Sequence, residues 1–174
     1  MRAAQLARAL GADISRLNEV PAAVESAYRT PWADDQPGPP ARLCEFVGGG
    51  INQWTAAEGA LKIREASYVA SEGLGVEQFL HGPSVALDAQ DRLVCLDGGG
   101  AWSARIADVA EAAEESGIPV TRVAHKELGE LLSIFPLTVA VQRIALEAAE
   151  TLGVNPDTFG RDRPTHQSWE RVEL

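Results

Sequence analysis

Residues 56–68 of this chain have the sequence AAEGALKIREASY. This stretch follows an apolar run at residues 43–47 and a glycine triplet at residues 48–50. An apolar run ended by glycines and followed by helix-forming residues is typical of the strand, turn and helix that open a βαβ unit. We therefore predict a buried strand at 43–47 and a helix from Gln53 to about Val69.

Three charged residues of this predicted helix, Glu58, Lys62 and Glu65, stand at i, i+4 and i+7 and so lie along one stripe. Larger side chains extend the same side: Trp54, Leu61 and Tyr68. Spacing alone favours an ordinary ion pair, since Glu four residues before Lys stabilises a helix by only about 0.2–0.5 kcal/mol. The alternative is a functional group of two carboxylates and an amine.

The rest of the chain alternates strands with helices. Strands are predicted at 93–96 and 118–123, with one or two short ones more near 68–72. The first predicted helix covers residues 2–17, and the second is capped by Asn18 and has Pro21 in its first turn. Further helices are predicted at 76–80 and around 106–113, where the helix stops at Gly117. The last predicted helix covers 134–152, with Pro136 in its first turn and Gly153 at its end. This alternation predicts an α/β fold with a parallel sheet covered on both faces.

Composition divides the chain into four parts. We predict an N-terminal helical arm at 1–32, a proline-rich linker at 33–41, the α/β domain at 42–152 and a polar C-terminal tail at 153–174. The arm is either a docking element or the remnant of an interdomain connection.

The chain has 174 residues with 15 Lys plus Arg and 25 Asp plus Glu, a formal net charge of −10. Such an acidic chain is expected to repel nucleic acid and anionic membrane surfaces. Cys44 and Cys95 stand in predicted buried strands, and nothing indicates a disulfide framework or a metal site. No signal peptide and no membrane span is evident, so we expect a cytoplasmic protein.

The motif EGALKxxExSY from Glu58 to Tyr68, followed by Glu72 and then by His81-Gly82-Pro83, resembles the second sugar-isomerase (SIS) domain of the phosphosugar isomerase and aminotransferase family. The match runs from about Gly48 to Asp88 and is looser beyond. The resemblance implies a single three-layer αβα domain with a flavodoxin-like parallel sheet. It also implies a sugar phosphate as ligand, no cofactor, and a homo-oligomer or a partner SIS chain.

The resemblance also assigns roles to residues. Glu65 matches the base that acts at C1 and C2 of the sugar, Lys62 lies close to it, and His81 assists ring opening in the site of a neighbouring subunit. We interpret Glu58 mainly as structural support and include it among the candidates for substrate binding.

The glycine turn supplies further candidates for substrate binding: Gly49, Gly50 and Asn52. Free N–H groups at a helix N-terminus form a ready anion site. Close packing of strand and helix is the more frequent reason for such glycines.

Two departures from the family keep two functions open. The chain contains no phosphate loop of the Ser-Gln-Ser-Gly-x-Thr type and no first SIS domain. In the aminotransferase members of the family, a lysine of the C-terminal tail opens the sugar, whereas the last lysine of this chain is Lys126. Arg161, Arg163 or His166 of the tail could enter the site instead. The chain is therefore either the second half of a ketose/aldose phosphate isomerase or aminotransferase-type enzyme, or a non-catalytic module for sugar-phosphate binding or dimerisation.

Overall fold

A four-stranded parallel sheet lies at the centre of the computed structural model, which describes residues 2–30, 38, 40, 42–158 and 160–171. The strands are β1 (Leu43–Gly48), β2 (Ala70–Gly75), β3 (Arg92–Asp97) and β4 (Val120–Ala124). Their spatial order is β2-β1-β3-β4. This is the flavodoxin-like order 2-1-3-4-5 without a fifth strand among the described residues. The predicted α/β class, its parallel sheet and the additional short strand are confirmed.

The described residues form six α-helices besides the sheet: α1 (Arg2–Ala9), α2 (Val20–Arg29), α3 (Asn52–Ser67), α4 (Val76–Leu80), α5 (Ser103–Glu115) and α6 (Gly129–Leu152). Helices α3 and α6 pack on one face of the sheet, and α4 and α5 pack on the other. Successive residues of β1 alternate between these faces, with Phe46 against α3 and α6 and Val47 against α4 and α5. The structure thus has the three αβα layers that the resemblance implies.

The face covered by α3 and α6 holds the larger side chains of the core. Phe46, Ile63 and Leu137 are at most 1% exposed, and burial of each contributes about 1.5–3 kcal/mol. A side chain at Gly59 would place its Cβ 2.7 Å from the Phe46 ring, so glycine is what allows α3 to approach β1 closely.

The N-terminal helices differ from the sequence prediction. The predicted helix 2–17 is wrong beyond Ala9, because Gly11 turns the chain with φ of +88°. Asn18 does not cap α2: Glu19 precedes the helix, and no side chain caps it. Pro21 does lie in the first turn of α2, as predicted. The predicted linker 33–41 lies outside the described residues except for positions 38 and 40.

Helix α2 packs on α6, so this helix of the predicted arm lies against the rest of the fold. Arg143 of α6 donates to the carbonyl oxygen of Ala27 at 3.1 Å and also to that of Thr30. Near the other end of α2, Arg16 donates to the carbonyl oxygen of Glu127.

Helix α6 begins at Gly129, five residues earlier than predicted, so Pro136 lies inside it rather than in its first turn. The proline removes one backbone donor, and packing against α3 and the sheet holds the helix together on both sides of it. Gly153 ends the helix in the left-handed conformation, as predicted.

The expectation that no segment resembles a membrane span needs correction, because α6 is long and apolar enough to cross a membrane by length and composition. Half of its apolar window is buried inside the fold, as in the central helix of a globular core. It is not deeply buried all round: Phe135 and Leu146 are 41% and 48% exposed, which leaves one apolar side uncovered.

Candidate functional site

The charged stripe of α3 forms a compact ionic group. Lys62 Nζ lies 2.6 Å from Glu65 Oε2 and 3.9 Å from Glu58 Oε1. About a third of each of these side chains is exposed. The hydrogen bond to Glu65 raises the pKa of Lys62, so at neutral pH the lysine is an ammonium that can donate hydrogen bonds but cannot act as a base.

A shallow hollow of about 260 Å³ opens beside this group. Its walls come from α3, α6 and the tail, and include Lys62, Glu65, Gln142, Leu146 and Asp157. Gln142 and Asp157 were not predicted from the sequence, because they reach the hollow from parts of the chain about 80–90 positions away from α3. The Asn-Pro-Asp sequence at residues 155–157 was the one local pattern that could have indicated a role for the tail in this hollow.

The tail is fixed against the end of α3. The Arg163 guanidinium lies over the Tyr68 ring, 4.6 Å from its centroid, and the Tyr68 hydroxyl lies 3.2 Å from Thr158 Oγ1. Stacking of this kind contributes about 0.5–1 kcal/mol at an exposed site. Arg163 is therefore used to hold the tail, and Pro156 and Asp157 lie beside Lys62 and Glu65 as a result.

His81 does not lie in this hollow. It is exposed at the end of α4, with Nδ1 2.6 Å from the carbonyl oxygen of Glu77. Helix α4 packs in the layer opposite to α3, so the sheet separates His81 from Glu65 within one chain. The structure brings together Glu58, Lys62 and Glu65, and leaves His81 on the other side.

The glycine turn before α3 is filled by the protein itself. The Trp102 side chain packs against Gly49, and the Glu130 carboxylate packs against Gly50. Glu130 Oε1 also accepts a hydrogen bond of 3.3 Å from the backbone N–H of Ile51. A carboxylate of the chain thus lies where the predicted anion would bind.

Asn52 is also engaged internally. It is 1% exposed, and its Nδ2 donates to Ser133 Oγ at 3.0 Å while its Oδ1 accepts from Thr55 Oγ1 at 3.1 Å. The predicted role of Gly49, Gly50 and Asn52 in substrate binding stays a prediction, and their packing gives them a structural reason of their own.

A second ionic group, which was not predicted from the sequence, lies at the carboxyl end of β3. Lys126 Nζ lies 2.5 Å from Asp97 Oδ2, and Ser103 Oγ donates to Asp97 Oδ1 at 2.7 Å. Burial alone would raise the pKa of Asp97, but these hydrogen bonds and one from the Gly99 N–H bring it below its usual value. The group stands near the β1/β3 switch point, where open α/β sheets usually bind ligands.

No cluster of three or more metal-ligating side chains occurs among the residues that the structure describes. The two cysteines are buried in β1 and β3 and are not bonded to each other.

Comparison with known proteins gives relatives that match part of this chain. The chain is 32% identical over 126 residues to glutamine–fructose-6-phosphate aminotransferase (isomerizing) of Thermococcus kodakarensis, covering 64% of this chain and 21% of the relative. It is 34% identical over 128 residues to the enzyme of the same name from a Nostoc species, with 64% and 20% covered. The chain therefore spans about a fifth of these relatives. No protein-family profile matches it.

Among solved structures, glucosamine-6-phosphate deaminase from Thermotoga maritima superposes with a TM-score of 0.66 at 19% identity. The match covers 87% of this chain and 49% of that one. Identity this low shows the fold alone. In sequence as well as in fold, this chain resembles the sugar-isomerase (SIS) domain family, as its motifs predict.

Proposed function

We propose that this chain is a phosphosugar-binding SIS domain and supplies the second half of an isomerase or aminotransferase-type active site. The observation that carries the proposal is the Glu58–Lys62–Glu65 group at the edge of a solvent-accessible hollow. Its residues stand in the motif through which the chain resembles the SIS family. The aligned relatives are named glutamine–fructose-6-phosphate aminotransferase (isomerizing).

The geometry suits proton transfer between C1 and C2 of an open-chain sugar phosphate. Glu65 serves as the base that removes the proton, for which a carboxylate within about 2.6–3.2 Å of the substrate is required. Lys62, held as an ammonium, orients Glu65 through their 2.6 Å contact. Its remaining N–H groups can stabilise the negative charge that develops on the sugar oxygen.

The proposed site is completed by another chain or domain. His81 is the ring-opening residue of the proposal, and within one chain the sheet keeps it apart from Glu65. Apolar side chains that a partner would cover flank the charged group: Trp54 is 70% exposed, Leu61 39% and Leu146 48%. Exposed apolar surface beside a polar site is typical of an interface, so we propose a homo-oligomer or a partner SIS chain.

Calorimetric titration with fructose 6-phosphate and glucosamine 6-phosphate tests this function, followed by an assay for interconversion. Glu65→Gln should retain binding within a few fold and abolish turnover, because the amide keeps the shape of the carboxylate but is not a base. Glu115→Gln, on the exposed end of α5, is the matched control and should change neither. Unchanged turnover in Glu65→Gln would refute the catalytic assignment.

A non-catalytic module for sugar-phosphate binding or dimerisation is the second candidate. It is favoured by the filled anion position at α3, where Trp102 and Glu130 occupy the space beside the glycine turn. Binding of a sugar phosphate without turnover, by the chain alone and after mixing with its partner, would select this candidate. The cytoplasmic location and the absence of nucleic-acid and membrane partners remain predictions.

A further inference from the structure

Strand β4 forms one edge of the sheet, and its backbone is paired on the β3 side. The N–H of Leu93 donates to the carbonyl oxygen of Pro119, and the N–H of His125 donates to that of Asp97. Backbone groups of a strand alternate in direction, so the odd-numbered residues from 119 to 125 face β3. The even-numbered residues, Arg122 and Ala124 among them, turn their N–H and C=O groups to the open edge. No strand pairs with this edge in the described parts of the chain.

A hollow of about 850 Å³ runs along that edge. It touches four consecutive residues, 122–125. Since neighbouring residues of a strand point to opposite faces, a cavity in contact with all four must follow the edge itself. The opposite wall is α2, which presents small side chains there: Ala22, Ala23, Ser26 and Ala27. We call this hollow the β4–α2 groove.

The groove has the size of one strand. A strand rises about 3.3 Å per residue, lies about 4.8 Å from its neighbour and occupies a layer about 10 Å thick. Five residues therefore need about 800 Å³, close to the volume of the groove. A fifth strand here would also complete the flavodoxin-like order 2-1-3-4-5. The connection from β4 to α6 spans only residues 125–128 and leaves no length for that strand.

The groove combines an apolar floor with guanidinium groups. Val123, Leu128 and Ala140 line it together with Arg16, Arg122 and Arg143. Arg16 and Arg122 form ion pairs with Glu19 and Glu114, whereas the hydrogen bonds of Arg143 go to neutral carbonyl groups.

The remaining titratable groups in the lining are Glu19, Glu127 and His125. Burial lowers the pKa of His125, so it is neutral at pH 7. Because Arg16 and Arg122 are paired with Glu19 and Glu114, Arg143 is the cation of the lining that has no carboxylate ion-pair partner among the described residues.

We propose that the β4–α2 groove binds an extended, acidic peptide segment of another protein chain as a fifth, edge strand. The outward N–H and C=O groups of Arg122 and Ala124 supply main-chain hydrogen bonds, which give affinity in strand addition. Apolar side chains at alternate positions of the peptide pack on the floor, and its carboxylates pair with Arg143.

The test begins with amide hydrogen exchange, measured by NMR on the ¹⁵N-labelled protein. In the isolated chain, the N–H groups of Arg122 and Ala124 should exchange much faster than those of Thr121 and Val123. A library of phage-displayed random heptapeptides is then selected on the protein. Enriched peptides should alternate apolar with Asp or Glu residues and slow the exchange of both edge amides at least tenfold when synthesised and added.

The decisive variant is Ala124→Pro, which removes one edge N–H and is tolerated on edge strands. It should weaken the selected peptides about tenfold or more, while Ala124→Ser, which keeps the N–H, should stay within about twofold. If Ala124→Pro fails to fold by circular dichroism, exchange at Arg122 in the unaltered protein with bound peptide decides instead.

Four outcomes would overturn the proposal. Slow exchange of both edge amides in the dilute monomer would show that the chain fills its own groove. Protection that appears only with dimerisation in analytical ultracentrifugation would assign the edge to a second copy. If the phage selection enriches no peptide, or if the selected peptides bind Ala124→Pro as tightly as the unaltered protein, an extended peptide is not the ligand of the groove. None of these outcomes bears on sugar-phosphate binding at the Glu58–Lys62–Glu65 group.

Discussion

Glu45 lies in the middle of β1 and is 2% exposed. It shares the face of the sheet covered by α4 and α5 and lies directly opposite Glu72 on β2. Its Oε2 has no hydrogen-bond partner among the described residues. Burial, reinforced by the negative charges of Glu72 and Asp91, raises the pKa of Glu45 to about 7. We predict that this carboxyl group makes the stability of the protein fall as pH rises.

The direction follows from proton binding. Below about pH 4.5 Glu45 is protonated in both states and contributes nothing to the free energy of unfolding. Between about pH 4.5 and 7 the unfolded chain loses the proton while the folded protein keeps it, so stability falls. Above about pH 7 both states are ionised and the loss is complete. A pKa difference of about 2.5 units corresponds to about 3 kcal/mol.

The perturbation is Glu45→Gln, which keeps the size of the side chain and removes its titration. Urea unfolding of both proteins at pH 5 and pH 8 gives the free energy of unfolding at each pH. Relative to the unaltered protein, the free energy of unfolding of the variant should rise by about 2–3 kcal/mol from pH 5 to pH 8. Near neutral pH that gain corresponds to a higher melting temperature by roughly 5–10 °C for a chain of this size.

Comparison of the two proteins at each pH cancels the titration of groups that do not interact with Glu45. Glu115→Gln, on the exposed end of α5, is the control for a Glu→Gln change at a surface position. A stability difference between Glu45→Gln and the unaltered protein that is equal at pH 5 and pH 8 would show that Glu45 has an ordinary pKa in the folded state. The reasoning from its burial would then be refuted.

Three further predictions follow from the packing. Cys44 and Cys95, whose pKa burial raises to about 12, should not react with Ellman's reagent in the folded protein at pH 8 and should both react in urea. Gly73→Ala should lower the free energy of unfolding by about 1–3 kcal/mol or more, because the added Cβ would clash with the backbone of α3. Gly82→Ala meets no atom within 4 Å and is the control, compared by thermal unfolding. Leu137→Ala, at a fully buried position of α6, should cost about 2–5 kcal/mol in urea unfolding.

Each of these predictions has an outcome that contradicts it. Rapid labelling of either thiol in the native protein would mean that its strand opens easily. Equal melting temperatures for Gly73→Ala and Gly82→Ala would contradict the close contact of β2 with α3. A loss well below 1 kcal/mol for Leu137→Ala would show that α6 does not pack as closely as its burial indicates.

Local patterns in the sequence determined the elements that contain their own signal. The apolar run at 43–47, the glycine triplet and the helix-forming stretch after it predict β1 and α3, because the periodicity of a strand or helix depends on neighbouring residues alone. The charged group of α3 was predictable for the same reason, since i, i+3 and i+4 neighbours meet on any helix. Family resemblance added the three layers, because the motif order identifies a known arrangement of such elements.

Features that depend on contacts between distant residues could not be predicted from the sequence. The start of α6 and the position of Pro136 within it were missed, because packing against α3 stabilises turns whose local signal is weak. The separation of His81 from Glu65 follows from the layer in which α4 packs, and the occupation of the glycine turn follows from Trp102 and Glu130, more than 50 positions away. Sequence periodicity carries no information on such approaches, because they arise only when the layers assemble.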